Sequence, residues 1–247
     1  MAHRFARCKG IRNGEPILTD SGGRFKGTVI PRTDHLSIPL KRRKPTVYAV
    51  WNDFFHEAVS WTFQNEAYGV MLEPSNHIYL ILTKRPAIMS EHLYKINIPD
   101  MPPNIYHGLT ICNQAEADAK IPVFLQVPGR KFLSIEPMLG PLFLTRISSG
   151  PGFSDWHYPI RGVDAVILGG ETGPGARPMR PDWVRSVRDQ CAAAGVPFFF
   201  KRWGAHGVNY LMDDNMKMIP GSEWMDKGVK PSGRLLDGRT HDELPWR

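Results

Sequence analysis

Glu136, Glu171 and Lys201 are the side chains of this sequence whose placement points to chemistry. Glu136 follows the apolar run KFLSI, Glu171 follows VILGG, and Lys201 follows PFFF. A carboxylate at the C-terminal end of a buried strand needs a partner, because an unpaired buried charge is expensive. Lys201 is expected to supply that partner to Glu136 or Glu171. Opposite charge keeps such acids ionised, whereas like charge and burial raise their pKa values. Polar residues also end the other apolar runs: Asn52-Asp53, Thr83-Lys84-Arg85, Thr110 with Asn113, and Ser134, and Arg202 follows Lys201. Together these ends form the candidate site, with Glu136, Glu171 and Lys201 as reacting groups.

Positioning them requires strands whose C-terminal ends share an edge. From Thr46 onward, strand-like apolar runs begin near Thr46, His77, Asn104, Lys131, Asp164 and Pro197. Their spacing, roughly 26 to 34 residues, is about one β-α-β repeat. Helical patterns fill the gaps: His56 to Met71, Ala87 to Ile96, and a helix from Gln114 with Asn113 as cap and Glu116 completing a capping box. Between the last two runs, Pro181 suits the first helical position, Asp182 complements the helix dipole, and Gly195 is placed to end the helix. Strands alternating with helices imply a parallel sheet, open or curled into part of a barrel. Right-handed crossovers then bring all C-terminal ends to one edge, where ligands of such sheets bind.

Three segments follow. Residues 1–45 show little periodicity: Met1 to Ala6 reads as the tail of a helix, Ser21-Gly22-Gly23 as a loop, and Thr28-Val29-Ile30 as a short strand. Residues 46–204 are the repeat region, too short for a closed eight-stranded barrel of about 250 residues. Residues 205–247 form an extension in which Ser222 to Arg247 reads as a hairpin or extended cap, with Asp237-Gly238 as a turn. The Gly-, Pro- and Ser-rich interval from Gly140 to Gly162 reads as an inserted loop.

The loop GGETGPGARP has neither GxGxxG nor GK[ST], so it is no dinucleotide fingerprint and no P-loop. Its backbone amides, leading into the helix at Pro181, could hold an anion or carboxylate. His56 and His107 lack any paired metal-ligand spacing and read as core or rim histidines. The three cysteines, Cys8, Cys112 and Cys191, are far apart, form no CxxC, and exclude a disulfide framework. They point to a reducing, cytoplasmic setting without a local cysteine metal site. No apolar run is long enough to cross a membrane. The formal charge of +7 fits a polyanionic partner and equally an ordinary soluble protein. Its densest cluster is Lys41-Arg42-Arg43-Lys44.

The segments LTKRP, SIEPMLGP, GGETGPGARPM, DWVRSVRDQCAAAGVPFFFK and GRLLDGR together resemble the phage-associated gp-thirty-seven/gp-sixty-eight family, whose members resemble radical S-adenosylmethionine enzymes. The resemblance runs from Met1 to the C-terminus. It implies a partial (β/α)6 barrel in which a first strand is followed by a three-cysteine motif binding a [4Fe-4S] cluster. The cluster would reduce S-adenosylmethionine to a radical that takes hydrogen from a substrate. In relatives a segment like MAHRFA follows the last cluster cysteine; here it is the start. The expectation is therefore a barrel lacking its first strand and its cluster cysteines. By strand order, Asn52 and Asp53 would reach the methionyl amino group, and Thr110, Asn113 and Glu136 would lie near the ribose or substrate.

Two functions compete. One is a radical S-adenosylmethionine-like enzyme, complete only with upstream sequence. The other is a non-catalytic phage protein that holds nucleic acid or a protein partner on its basic surface.

Overall fold

The structure, a computed structural model, describes residues 29–50, 52–147, 156–157, 159–212, 218–226 and 233–246. For 146–147, 156–157, 207–212 and 218–226 it describes the backbone alone. The expectations for Met1 to Ala6, Cys8, Ser21 to Gly23 and Thr28 lie outside the described residues.

Six strands form one parallel sheet in strict chain order: β1 (Val47–Val50), β2 (Ile78–Thr83), β3 (Ile105–Thr110), β4 (Arg130–Ile135), β5 (Ala165–Gly169) and β6 (Phe198–Arg202). Every pairing is between consecutive strands and parallel. The sheet curls into a half-barrel with helices between its strands. Strands β3 and β5 are buried at every position, as an apolar run covered on both faces must be.

Among the described residues, four helices follow strands of the sheet along the chain: α1 (Trp61–Leu72), α2 (Pro86–Ile96), α3 (Gln114–Leu125) and α4 (Pro181–Ala194). Helix α4 has Pro181 in its first turn and ends at Gly195, which lacks the Cβ that would disfavour its φ of +71°. Helix α1 corrects the sequence expectation, which started it at His56. Ser60 is the cap: its backbone is extended and its hydroxyl accepts from the Phe63 amide at 3.3 Å. Residues before it form a turn in which the Ala58 amide donates to His56 Nδ1 at 3.1 Å.

Alternation divides the sheet into two faces. Ile105, Leu109, Leu133, Ile135, Val166, Leu168, Phe198 and Phe200 join the large core shared with the helices. Leu80, Tyr106, Phe132, Ala165 and Ile167 form a second, smaller cluster with Phe199, Leu244 and Trp246. That cluster lines the concave face, and no helix covers it among the described residues.

The expected hairpin lies earlier than Ser222: β7 (His206–Met212) pairs antiparallel with β8 (Met218–Asp226). The final stretch is the extended cap. Asp237 and Gly238 both have positive φ, and Leu236 and Arg239 exchange backbone hydrogen bonds across them, as a primed two-residue turn requires. Asp242 then bridges Phe199 antiparallel, covering the free edge of β6. Val29 and Ile30 are not in a strand; Pro31, which lacks a ladder donor, follows them. No helix among the described residues is long and apolar enough to cross a membrane.

Candidate functional site

At its C-terminal rim the concave face carries a cluster of polar groups. Two-residue alternation carries the face along β3 through Tyr106, Gly108 and Thr110, and along β4 through Phe132 and Ser134 to Glu136. On β5 it runs through Ala165, Ile167 and Gly169, and on β6 through Phe199 and Lys201. Thr110 and Ser134 are register partners and both are buried. A side chain at Gly108 would collide with the ring of Phe132, and one at Gly169 would press on Glu136 Oε1 at 3.3 Å. Both glycines make room for concave-face side chains.

Glu136 is the centre of the rim. Lys201 Nζ donates to its Oε2 at 2.7 Å, and Arg202 Nη2 donates to its Oε1 at 3.3 Å. The three side chains are 17, 24 and 22 % exposed. Consecutive strand residues point to opposite faces, so a lysine and the arginine after it cannot share a partner in a regular strand. The register explains how they do. Leu168 faces Phe200 and Gly169 faces Arg202, leaving Lys201 as an extra residue in a bulge. Bulges re-aim side chains in this way. The Nε of Arg202 is buried and has no hydrogen-bond partner among the described residues.

Glu171 is held elsewhere. Its Oε2 accepts from the Arg177 amide at 2.9 Å and from Arg177 Nε at 2.8 Å, and its Oε1 accepts from Nη2 at 2.8 Å. The Arg177 guanidinium holds this carboxyl below its ordinary value. The loop between them turns through Gly173 and Gly175, both at positive φ. Of the loop amides expected to hold an anion or carboxylate, the one at Arg177 is taken by the chain's own Glu171 carboxylate. Below this loop two backbones cross in contact. The Gly170 amide donates to the Arg202 carbonyl at 2.9 Å, and the Ala205 amide donates to the Glu171 carbonyl at 2.7 Å. A Cβ on Gly170 would collide with the Trp203 carbonyl, and one on Gly204 with the Glu171 carbonyl.

Asp53 lies at the opposite end of the rim. It accepts from the Thr83 hydroxyl at 2.5 Å and pairs with Arg85, whose Nε also donates to Glu57 at 2.8 Å. Glu57 raises the Arg85 guanidinium above its usual value, and Arg85 pulls the Glu57 carboxyl down. Asn52 is exposed. Asn113 caps α3, its side chain accepting from the Glu116 amide at 2.9 Å. The Glu116 carboxylate accepts from the Cys112 amide at 3.1 Å, one residue before the position a capping box uses. The rim thus holds Glu136 with Lys201 and Arg202, Asp53 with Arg85, and Glu171 with Arg177, each within its own ion-pair group.

Sequence reasoning did not single out Arg234 or Trp246. It placed Arg202 beside Lys201 at the strand end, but the contact of Arg202 with Glu136 depends on the bulge, for which the run PFFFKRW carries no signal. Trp246 packs edge-on against Tyr106 at 4.7 Å and Phe132 at 5.9 Å from an irregular tail without periodicity.

An iron–sulfur cluster needs grouped thiolates. Cys112 and Cys191 are buried free thiols on different elements, and burial pushes both upward, Cys191 to about 12. Among the described residues no group of three or more His, Cys, Asp or Glu is arranged to hold a metal ion, so they do not fit the cluster.

No match was found among curated proteins or among solved structures. One family profile matches residues 1–245, and the chain belongs to that family, described as proteins of unknown function, DUF5131.

Proposed function

We propose that this protein is a radical S-adenosylmethionine-like half-barrel of phage type that binds S-adenosylmethionine at the concave rim. One observation carries the reading: a carboxylate and two cations, Glu136, Lys201 and Arg202, meet at the C-terminal strand ends beside the buried hydroxyl residues Thr110 and Ser134. Ligands of parallel sheets bind at that edge. Lys201 and Arg202 suit the methionyl carboxylate, Glu136 suits the ammonium group, and the hydroxyls suit the ribose. The described residues do not fit a cluster, so the role assigned to the rim is binding alone.

Isothermal titration with S-adenosylmethionine tests the proposal. Glu136→Gln, which removes a charge-assisted contact, is expected to weaken binding about 10- to 100-fold. No heat change with S-adenosylmethionine at millimolar concentration, or equal binding by the variant, overturns it.

A second reading, a non-catalytic protein binding nucleic acid, is favoured by one feature. Lys41, Arg42, Arg43 and Lys44 are consecutive and all exposed. If four phosphates are neutralised there, log affinity for duplex DNA falls against log salt with a slope of about −3.6. Neutralising the four residues is expected to flatten that slope. Binding that ignores salt removes this reading.

A further inference from the structure

The concave face is not sealed. Between it and the C-terminal segment lies a cleft of about 520 Å³, walled by Leu80, Ile167 and Phe199 of the sheet and by Leu244 and Trp246 of the tail. Lys201, Arg202, Gly233 and Arg234 complete the lining, and no carboxylate lines it among the described residues. This volume lies within the range of small-molecule sites, which are mostly apolar with a few placed polar groups.

We propose that this cleft binds an organic anion with a flat aromatic body. Two features define the body. The Phe199 ring of the sheet and the Trp246 ring of the tail both line it, and aromatic pairs gain beyond their buried area. Trp246 is braced against Tyr106 and Phe132, so this wall is fixed before a ligand arrives. Two further features define the charge. Arg234 is already oriented: it pairs with Asp242, its Nε reaches the Phe200 carbonyl at 3.4 Å, and its guanidinium lies 4.8 Å from the Phe199 ring centroid. Arg202 carries a buried Nε donor with no hydrogen-bond partner among the described residues. A buried donor without an acceptor is costly, and an anionic acceptor would relieve it. Cationic groups in the lining of an otherwise apolar cleft select an amphipathic anion over either a hydrocarbon or an inorganic ion. The cleft shares Lys201 and Arg202 with the rim but does not rest on the S-adenosylmethionine reading.

The probe pair is 2-naphthoate and its neutral isostere 2-naphthamide, titrated by calorimetry against the full chain. The expected result is one 2-naphthoate per chain with Kd below about 1 mM, and amide binding weaker by about tenfold, the loss of one charge-assisted contact. Ile167→Trp, which narrows the cleft, weakens binding of both, and Arg234→Gln weakens the anion alone. Equal affinity for the two probes in the wild-type protein overturns the inference, as does an Ile167→Trp protein that binds both as tightly as the wild type. The wild-type comparison stands even where a variant fails to fold. Titrating S-adenosylmethionine in parallel separates the two proposals. Naphthoate binding without S-adenosylmethionine binding removes only the rim reading, and the converse removes only the cleft.

Discussion

Glu136 and Glu171 end neighbouring parallel strands, yet the chain uses them differently. Glu136 takes its partners from β6, 65 and 66 residues away, and all three side chains are largely buried at the concave rim. Glu171 takes its partner six residues on, and Arg177 is 60 % exposed. The first arrangement exists only when the sheet is assembled and a bulge turns Lys201 and Arg202 to one side. The second is a local clasp that shapes its own loop. A charged residue at a strand end therefore signals a site when its partner is distant, and loop closure when its partner is near.

The most severe way to break the contrast is at the crossing that sets both regions in place. Gly170→Ala pushes a methyl into the Trp203 carbonyl, which is backbone and cannot swing aside. Overpacking of this kind is expected to cost about 3 kcal/mol. Urea unfolding should show it as a lowered midpoint, with 2-naphthoate binding lost as β6 shifts. A Gly170→Ala protein of wild-type stability would mean the two backbones are not in contact.

Acid should separate the carboxylates from the helix-facing core. His92 and His107 are buried there, and burial lowers them to about 4 and about 3. His107 Nε2 pairs with the Tyr68 hydroxyl at 2.9 Å, whereas both His92 nitrogens lack hydrogen-bond partners among the described residues. Below the unfolded value near 6.5 the unfolded chain binds protons that the folded chain refuses, so stability is full above that pH and falls as pH drops toward 4. Between pH 6.5 and 5.5 the pair should lose about 2 kcal/mol. Glu171 runs in a lower window. Its folded value is depressed by Arg177, so its contribution is present above the ordinary carboxyl value and is lost only as pH falls through the folded one. His92→Phe should remove about half the decline above pH 5.5 and leave the acid limb. A stability profile flat from pH 7 to 5.5 would show that these histidines are not buried neutral.

The sheet was legible because parallel strands covered on both faces are unbroken apolar runs. HIYLIL and KFLSI mark β2 and β4 to within a residue. Asn113, Pro181 and Gly195 mark helix ends by local chemistry that does not depend on the rest of the fold. The start of α1 was hidden because the helical spacing of apolar residues continues back past Ser60 into the turn. The partner of Lys201 was readable as a choice between two carboxylates. What selects Glu136 is the position of Arg177, folded back by glycines at positive φ, and periodicity has no access to that. The cleft was the least legible feature. Its tail walls, Leu244 and Trp246, reach the sheet through single bridges and turns.

The finest test of the contrast replaces each carboxylate by its amide. Glu136→Gln leaves Lys201 and Arg202 without their anion in a largely buried place, where removing one partner is costlier than at a surface. The expected loss is about 1 to 2 kcal/mol. Glu171→Gln leaves an amide oxygen that still accepts from the Arg177 backbone, and the guanidinium it abandons is mostly in water. That loss should be about 0.5 kcal/mol. Salt sharpens the difference, because screening weakens the exposed pair far more than the enclosed one. At 1 M sodium chloride the Glu171 effect should vanish in urea unfolding while most of the Glu136 effect remains. Equal losses at low salt, or equal sensitivity to salt, would show that both carboxylates are loop clasps and that the rim has no assembled centre.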